Sequence, residues 1–151
     1  MLQNLAFLKI LLKNMNYKIP LSEPDITDLE KEAVAEVLET SSLSLGKKYK
    51  EFEKIMAKFS GVKYAVAVNS GTSGLHLVIK ALGIAEGDEV ITTPFSFIAS
   101  ANCILFEKAK PVFVDIKSDT FNINPELVEG SITPKTKAIL AVDVFSQPAD
   151  W

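Results

Sequence analysis

At 151 residues, 48% of them hydrophobic, the chain is long enough for one domain with a proper core. Its net charge of -3 and pI near 5.2 give no electrostatic footprint for nucleic acid. One cysteine (Cys103) and one histidine (His76) exclude a disulfide framework and a self-contained zinc site, and fit a reducing cytosol. All 16 basic residues are lysines, so the bidentate fork of arginine is absent. Any bound phosphate must then rest on backbone donors, hydroxyls and lysine. A coding bias toward lysine explains the missing arginines equally well.

The first fourteen residues, Met1 to Asn14, form an apolar leader with Leu2, Leu5, Phe7, Leu8, Ile10, Leu11 and Leu12. It is too short to span a bilayer. No lysine precedes its apolar core and no small-residue cleavage site follows, so it makes a poor signal peptide, and no membrane partner is expected. Met15-Asn16-Tyr17-Lys18 resembles an ordinary cytosolic start. The expectation is a misread start over residues 1–14 and a folded part over 15–151; a short amphipathic packing helix is the alternative for the leader.

Helices and strands then alternate. Thr27-Asp28-Leu29-Glu30 is a capping box opening a helix with an apolar face of Ala33, Val34, Val37 and Leu38. Residues 41–46 read as a loop. Tyr49, Phe52, Met56 and Phe59 fall at helical spacing, and Gly61 is placed to end that helix. Ala65 to Val68 reads as a buried strand, and a helix follows from about Thr72 to Leu82. Glu86-Gly87-Asp88 turns into a strand over Glu89 to Thr92, which Pro94 stops. A helix from about Ser96 to Glu107 leads to a strand at Pro111 to Asp115. Asn124-Pro125-Glu126 is an N-cap with proline in the first helical position. Ala138 to Val142 completes the series as a fourth strand. Apolar strands alternating with helices predict an α/β fold with a parallel sheet covered on both faces.

Chemistry concentrates at Asn69-Ser70-Gly71-Thr72-Ser73-Gly74. A strand, a turn of small polar residues and a helix start bring unpaired backbone N–H groups together, and such an N-terminus holds an anion, most often a phosphate. Gly71 and Gly74 let a ligand approach the backbone, and Thr72 and Ser73 add hydroxyl donors. A plain capped turn has the same sequence. In parallel sheets ligands sit beyond the carboxyl ends of the strands. Thr93-Pro94-Phe95-Ser96-Phe97 lies at the next such end. A phosphate cradle beside an exposed aromatic suits a flat phosphorylated ring, stacked on Phe97 or Phe95, although either phenylalanine alone could be core.

These segments together resemble the DegT/DnrJ/StrS aminotransferases. The likeness is carried by Ile19-Pro20-Leu21-Ser22-Glu23-Pro24, Phe52-Glu53, the run from Val68 to Leu77, Gly87-Asp88-Glu89-Val90-Ile91, Pro94-Phe95-Ser96-Phe97, Pro111 to Asp115 and Gln147-Pro148-Ala149-Asp150. The resemblance implies the large domain of the pyridoxal-phosphate-dependent transferases (aspartate aminotransferase architecture, fold type I), here incomplete. It implies pyridoxal 5'-phosphate as cofactor, with Gly71, Thr72 and Ser73 on its phosphate and Phe97 on its ring. It further implies a nucleotide-linked keto sugar as substrate, glutamate as amino donor and a homodimer for the complete enzyme. His76 falls on the helix behind the loop and reads as a packing or hydrogen-bonded residue. Ser146 stands where the family usually has glycine, so a different backbone is expected in that turn.

The resemblance also implies that the ring-nitrogen aspartate and the Schiff-base lysine lie beyond the Gln-Pro-Ala-Asp motif, past Trp151. None of the 16 lysines sits in a segment like the family's lysine motif. The expectation is therefore half a cofactor site, no catalytic centre in this chain, and the N-terminal part of an aminotransferase. Two other readings stand beside it: a sugar dehydratase on the same scaffold, and a non-catalytic phosphate-binding or interaction module. The strand at Ala65 to Val68 is expected to pair with one from later in the family's sequence, leaving its edges open here. The chain alone is therefore expected to be poorly soluble or partly folded. Calorimetry and sedimentation check this; a cooperative thermal transition from a soluble monomer is the contrary result.

Overall fold

The computed structural model describes residues 22–151. The 1–14 leader and Ile19, Pro20 and Leu21 of the first family-like motif lie outside these residues. The described residues divide into two compact units between Ala65 and Val66.

In the first unit, helix α1 (Asp28–Leu38) starts with the expected capping box. Leu29 N–H donates to Thr27 Oγ1 at 3.2 Å and Thr27 N–H donates to the Glu30 carboxylate at 2.7 Å, so orphan donors at the helix start are satisfied reciprocally. Helix α2 (Lys47–Phe59) ends where Gly61 turns left-handed at φ +66°, and the N–H groups of Gly61 and Val62 close onto the carbonyls of Lys58 and Ala57. The amphipathic faces read from the sequence are present but not covered: Leu29, Val34, Leu38, Phe52, Ile55 and Phe59 are exposed.

The second unit is built on a three-stranded parallel sheet in the order β2-β1-β3, with β1 at Glu89–Thr92, β2 at Lys110–Phe113 and β3 at Thr136–Leu140. β1 is central. Val90 stands opposite Pro111 and Ala138, and Ile91 opposite Val112 and Ile139. Pro111 donates nothing to a ladder and accordingly lies on an edge strand. Helices α3 (Gly71–Ala81) and α4 (Ala99–Phe106) cover one face, where Ile79, Ile84, Val90, Cys103, Ile104 and Ala109 form the main core. The other face buries Ile91, Val114 and Ile123, with Val128 from the short helix α5 (Pro125–Val128) packed against them. Its cover is incomplete, since Ile139 of β3 remains 44% exposed.

At the amino end of the sheet Glu89 is buried but fully engaged. Its carboxylate accepts from Thr133 Oγ1 at 2.7 Å and Lys110 Nζ at 3.0 Å. These two bonds, Thr133 first, hold its carboxyl below the ordinary glutamate value.

Ala65 to Val68 is not the buried strand its apolar pattern reads as: it joins no ladder and Val66 and Val68 are exposed, in line with the expectation that it stays unpaired in this chain. Two further expectations change. The helix expected from Ser96 begins at Ala99, because Thr93 Oγ1 accepts Phe95 N–H and holds the preceding residues in a turn. The last strand covers Thr136–Leu140, two residues earlier than expected, with Ala141 and Val142 leaving the ladder.

Ile104 is wholly buried in the main core. Ile104→Ala removes packed methyls and leaves a cavity, so urea denaturation is expected to show a loss of about 3 kcal/mol.

Candidate functional site

Connectivity fixes which end of the sheet carries chemistry. Only residues 82–88 separate the end of α3 from the start of β1, so α3 runs against the strands and its first turn lies toward their carboxyl ends. α4 runs the same way: Glu107, just past its end, meets the second half of α3 through His76 and Lys80.

Ser70 is the N-cap of α3. Its Oγ accepts from Ser73 N–H at 3.1 Å, and Gly74 N–H donates to the Ser70 carbonyl at 3.1 Å. Ser73 Oγ is tied to Asn69 Oδ1 at 2.7 Å and Ser70 Oγ at 3.0 Å. Among the described residues nothing accepts from the N–H groups of Gly71 and Thr72. No heavy atom lies within 4 Å of where a Gly71 side chain would begin, and Gly71 is exposed and Thr72 half-buried. Of the three residues singled out, Gly71 and Thr72 thus present free amides, whereas the Ser73 amide and hydroxyl are already used inside the cap. Gly74 is not required by space: an added Cβ would meet only Val68 Cγ2 at 3.5 Å, an ordinary contact.

The second feature is an open apolar cavity of about 490 Å³ beyond the carboxyl ends of β1 and β3. Pro94, Phe95 and Phe97 line it together with Val142, Val144 and Phe145. The two phenylalanines left open by the sequence differ here. Phe95 belongs to an aromatic cluster, with ring centroids 5.5 Å from Phe121 and 6.2 Å from Phe145. Phe97 is 76% exposed and free to meet a ring.

The Gln147-Pro148-Ala149 turn is fastened from inside. Ala149 N–H donates to Asp143 Oδ1 at 2.8 Å. Buried Asn122 donates through Nδ2 to the carbonyls of Gln147 and Pro148, both at 2.9 Å, and accepts Val144 N–H on Oδ1 at 2.8 Å. Asn122 was not singled out in the sequence; a polar residue inside the apolar run Phe121-Asn122-Ile123 was the only signal. Phe145 and Ser146 both have left-handed backbone, φ 52° and 63°. The turn at Ser146 therefore keeps a conformation that suits glycine, with serine bearing the strain.

His76 is half-buried behind the loop. Its Nε2 lies 2.6 Å from Glu107 Oε1, and its ring packs edge-on against Phe106 at 5.2 Å. That is the hydrogen-bonded packing role expected of it. Bonds from His76, then Lys80, hold the Glu107 carboxyl below the ordinary glutamate value. Among the described residues no cluster of three or more histidines, cysteines or carboxylates could hold a metal ion, and no helix is long and apolar enough to cross a membrane.

Free helix-terminal amides and an apolar cavity at the carboxyl end of a parallel α/β sheet are the arrangement in which a phosphorylated, ring-bearing ligand can be held. The chain belongs to the DegT/DnrJ/EryC1/StrS aminotransferase family, whose model matches residues 24–151. It is 46% identical over 140 residues to the spore coat polysaccharide biosynthesis protein SpsC of Bacillus subtilis, covering 93% of this chain and 36% of that protein. Among solved structures it is similar to the putative sugar aminotransferase Spr1654 of Streptococcus pneumoniae, with 37% identity, a TM-score of 0.84, and coverage of 89% of this chain and 34% of that one. The aminotransferase PseC of Helicobacter pylori, involved in the biosynthesis of pseudoaminic acid, matches at 38% identity and a TM-score of 0.82, with coverage of 89% and 36%. The chain thus spans about a third of the length of these relatives. Its architecture is the fold type I transferase fold, present as part of a domain.

Two outcomes follow from the geometry. Ser146→Gly is expected to stabilise the protein by about 1 kcal/mol in thermal denaturation, by relieving left-handed serine. Because the Glu107 carboxyl is depressed in the folded state, its contribution is present above the unfolded value of about 4.3 and lost as pH falls through the folded value. Glu107→Gln is therefore expected to be less stable than the parent at pH 7, with the gap in melting temperature narrowing below about pH 4.

Proposed function

We propose that residues 15–151 are the N-terminal part of the large domain of a pyridoxal-phosphate-dependent aminotransferase acting on nucleotide-linked keto sugars, with glutamate as the amino donor and a homodimer as the working assembly. The observation that carries this reading is the pair of unpartnered N–H groups on Gly71 and Thr72 at the first turn of α3. Solved relatives bear on the ligand: Spr1654 has been obtained in PMP and PLP forms, and NtdA of Bacillus subtilis with bound cofactor PMP. The names of SpsC and PseC support a sugar substrate.

The residues fit such a cofactor. Gly71 and Thr72 donate backbone N–H groups to its phosphate, and the Thr72 hydroxyl adds a third donor. Ser73 holds the cap around Ser70 and Asn69 and so keeps those amides parallel. Phe97 offers an exposed face to the pyridine ring. This chain offers no arginine to assist, so within it the phosphate's charge falls to the helix dipole and these donors. Bound there, the cofactor supplies an electron sink for the carbon that exchanges a proton beside the transferred nitrogen.

The test removes one amide and leaves the helix. Gly71 is the first residue of α3 and follows extended Ser70 (φ -162°, ψ 158°), a geometry that proline accepts at both positions. Gly71→Pro is expected to weaken pyridoxamine 5'-phosphate binding about tenfold, read by phosphorus NMR titration, with an unchanged melting temperature. Equal affinity in parent and variant would remove the phosphate assignment.

A further inference from the structure

Asn122 is 3% exposed, and every hydrogen bond of its side chain runs to one segment. Nδ2 spans the carbonyls of Gln147 and Pro148, and Oδ1 receives the amide of Val144. The three bonds bracket Phe145 and Ser146, the two consecutive residues in left-handed backbone. Such a backbone is costly for side chains other than glycine and persists only where its surroundings over-determine it. Asn122 supplies that determination from both sides of the strained pair.

Phe145 lines the same cavity as Phe97. It is 77% exposed, so little packing of its own holds it there. Neighbouring Phe121 contributes through its ring, 5.9 Å from that of Phe145, and is itself left-handed at φ 61°. One short stretch, residues 121–122, thus supplies both an aromatic contact and a polar clamp to the cavity wall.

We propose that Asn122 is a positioning residue: it fixes the 144–148 turn so that Phe145 closes the cavity against the ring portion of the bound ligand, independently of the phosphate cradle on α3. The proposal rests on the cofactor reading above for the identity of that ring. Asn122→Asp is nearly isosteric, keeps an acceptor for Val144 N–H, and turns the donor toward two carbonyls into a second acceptor. Two of the three bonds are lost and become repulsive contacts.

Two probes separate ring from phosphate: pyridoxamine 5'-phosphate, which has no aldehyde to react with surface lysines, and inorganic phosphate. Asn122→Asp is expected to raise the dissociation constant for pyridoxamine 5'-phosphate about tenfold while the constant for inorganic phosphate stays within about twofold. A merely structural defect would move both together. Phe145→Ala, at an exposed position, is expected to give the same split, and the double variant to be no weaker than the worse single one, because one residue acts through the other. Should Asn122→Asp fail to fold, Asn122→Ser, which retains a donor and an acceptor, replaces it in the cycle.

Amide hydrogen exchange decides the clamp without any ligand. Protection across residues 143–149 is expected to fall about tenfold in the Asn122 variant, with β1 unchanged. Parallel loss of both affinities, additive effects in the cycle, or unaltered protection at Val144 overturns the proposal. If the parent binds neither probe while the exchange result holds, it is the cofactor reading that has failed and not the clamp.

Discussion

Everything in the sheet-bearing unit depends on β1 being hydrogen-bonded on both edges. Four residues, Glu89 to Thr92, pair in parallel with β2 on one side and β3 on the other, and all four are buried. A strand so enclosed cannot carry an unpaired amide or a solvated side chain at low cost. Its one charged residue accordingly sits at the amino end, where Thr133 and Lys110 satisfy it. The carboxyl ends are left for loops, and the cavity and the free amides of α3 both lie on that side.

The unit therefore separates two tasks along the strand direction. The amino end carries the buried, ion-paired Glu89, while the opposite end carries the exposed Phe97 and Phe145 and the left-handed Phe145–Ser146 turn. The Glu107 carboxylate ties α3 to the end of α4, so the helix that offers its amides is anchored by its rear half. Rigidity at one end of α3 serves geometry at the other, since a helix start can present parallel donors only if the helix itself does not rock.

Much of this was legible in the residues. β1 was read with its exact limits because Glu86-Gly87-Asp88 and Pro94 bracket an apolar run that has only one plausible length. The Thr27 capping box and the Asn124-Pro125 start were equally clear, since local chemistry decides them. Ala65 to Val68 was misread as buried for the opposite reason: its apolar pattern specifies a willingness to pair, not a partner, and it stays unpaired here as expected. The Gly71 and Thr72 amides were foreseeable from the turn's composition, but the internal engagement of Ser73 was not, because a serine three residues beyond a serine cap can face either way. Asn122 escaped notice altogether. Its role comes from contacts with residues more than twenty positions later, and no local pattern encodes such a bond.

The central position of β1 also imposes a schedule on the ribosome. Its flanking partners are unequal in sequence distance: Lys110 to Phe113 follow closely, whereas Thr92 is bonded to Leu140, 48 residues downstream. During synthesis a two-stranded β1–β2 pair with α3 and α4 across it can assemble early, but one edge of β1 stays bare until the chain through Leu140 has emerged. A nascent chain is thus exposed to edge-to-edge association for the time taken to translate that interval. Slow codons placed between Phe113 and Thr136 would prolong that window, and fast ones would shorten it.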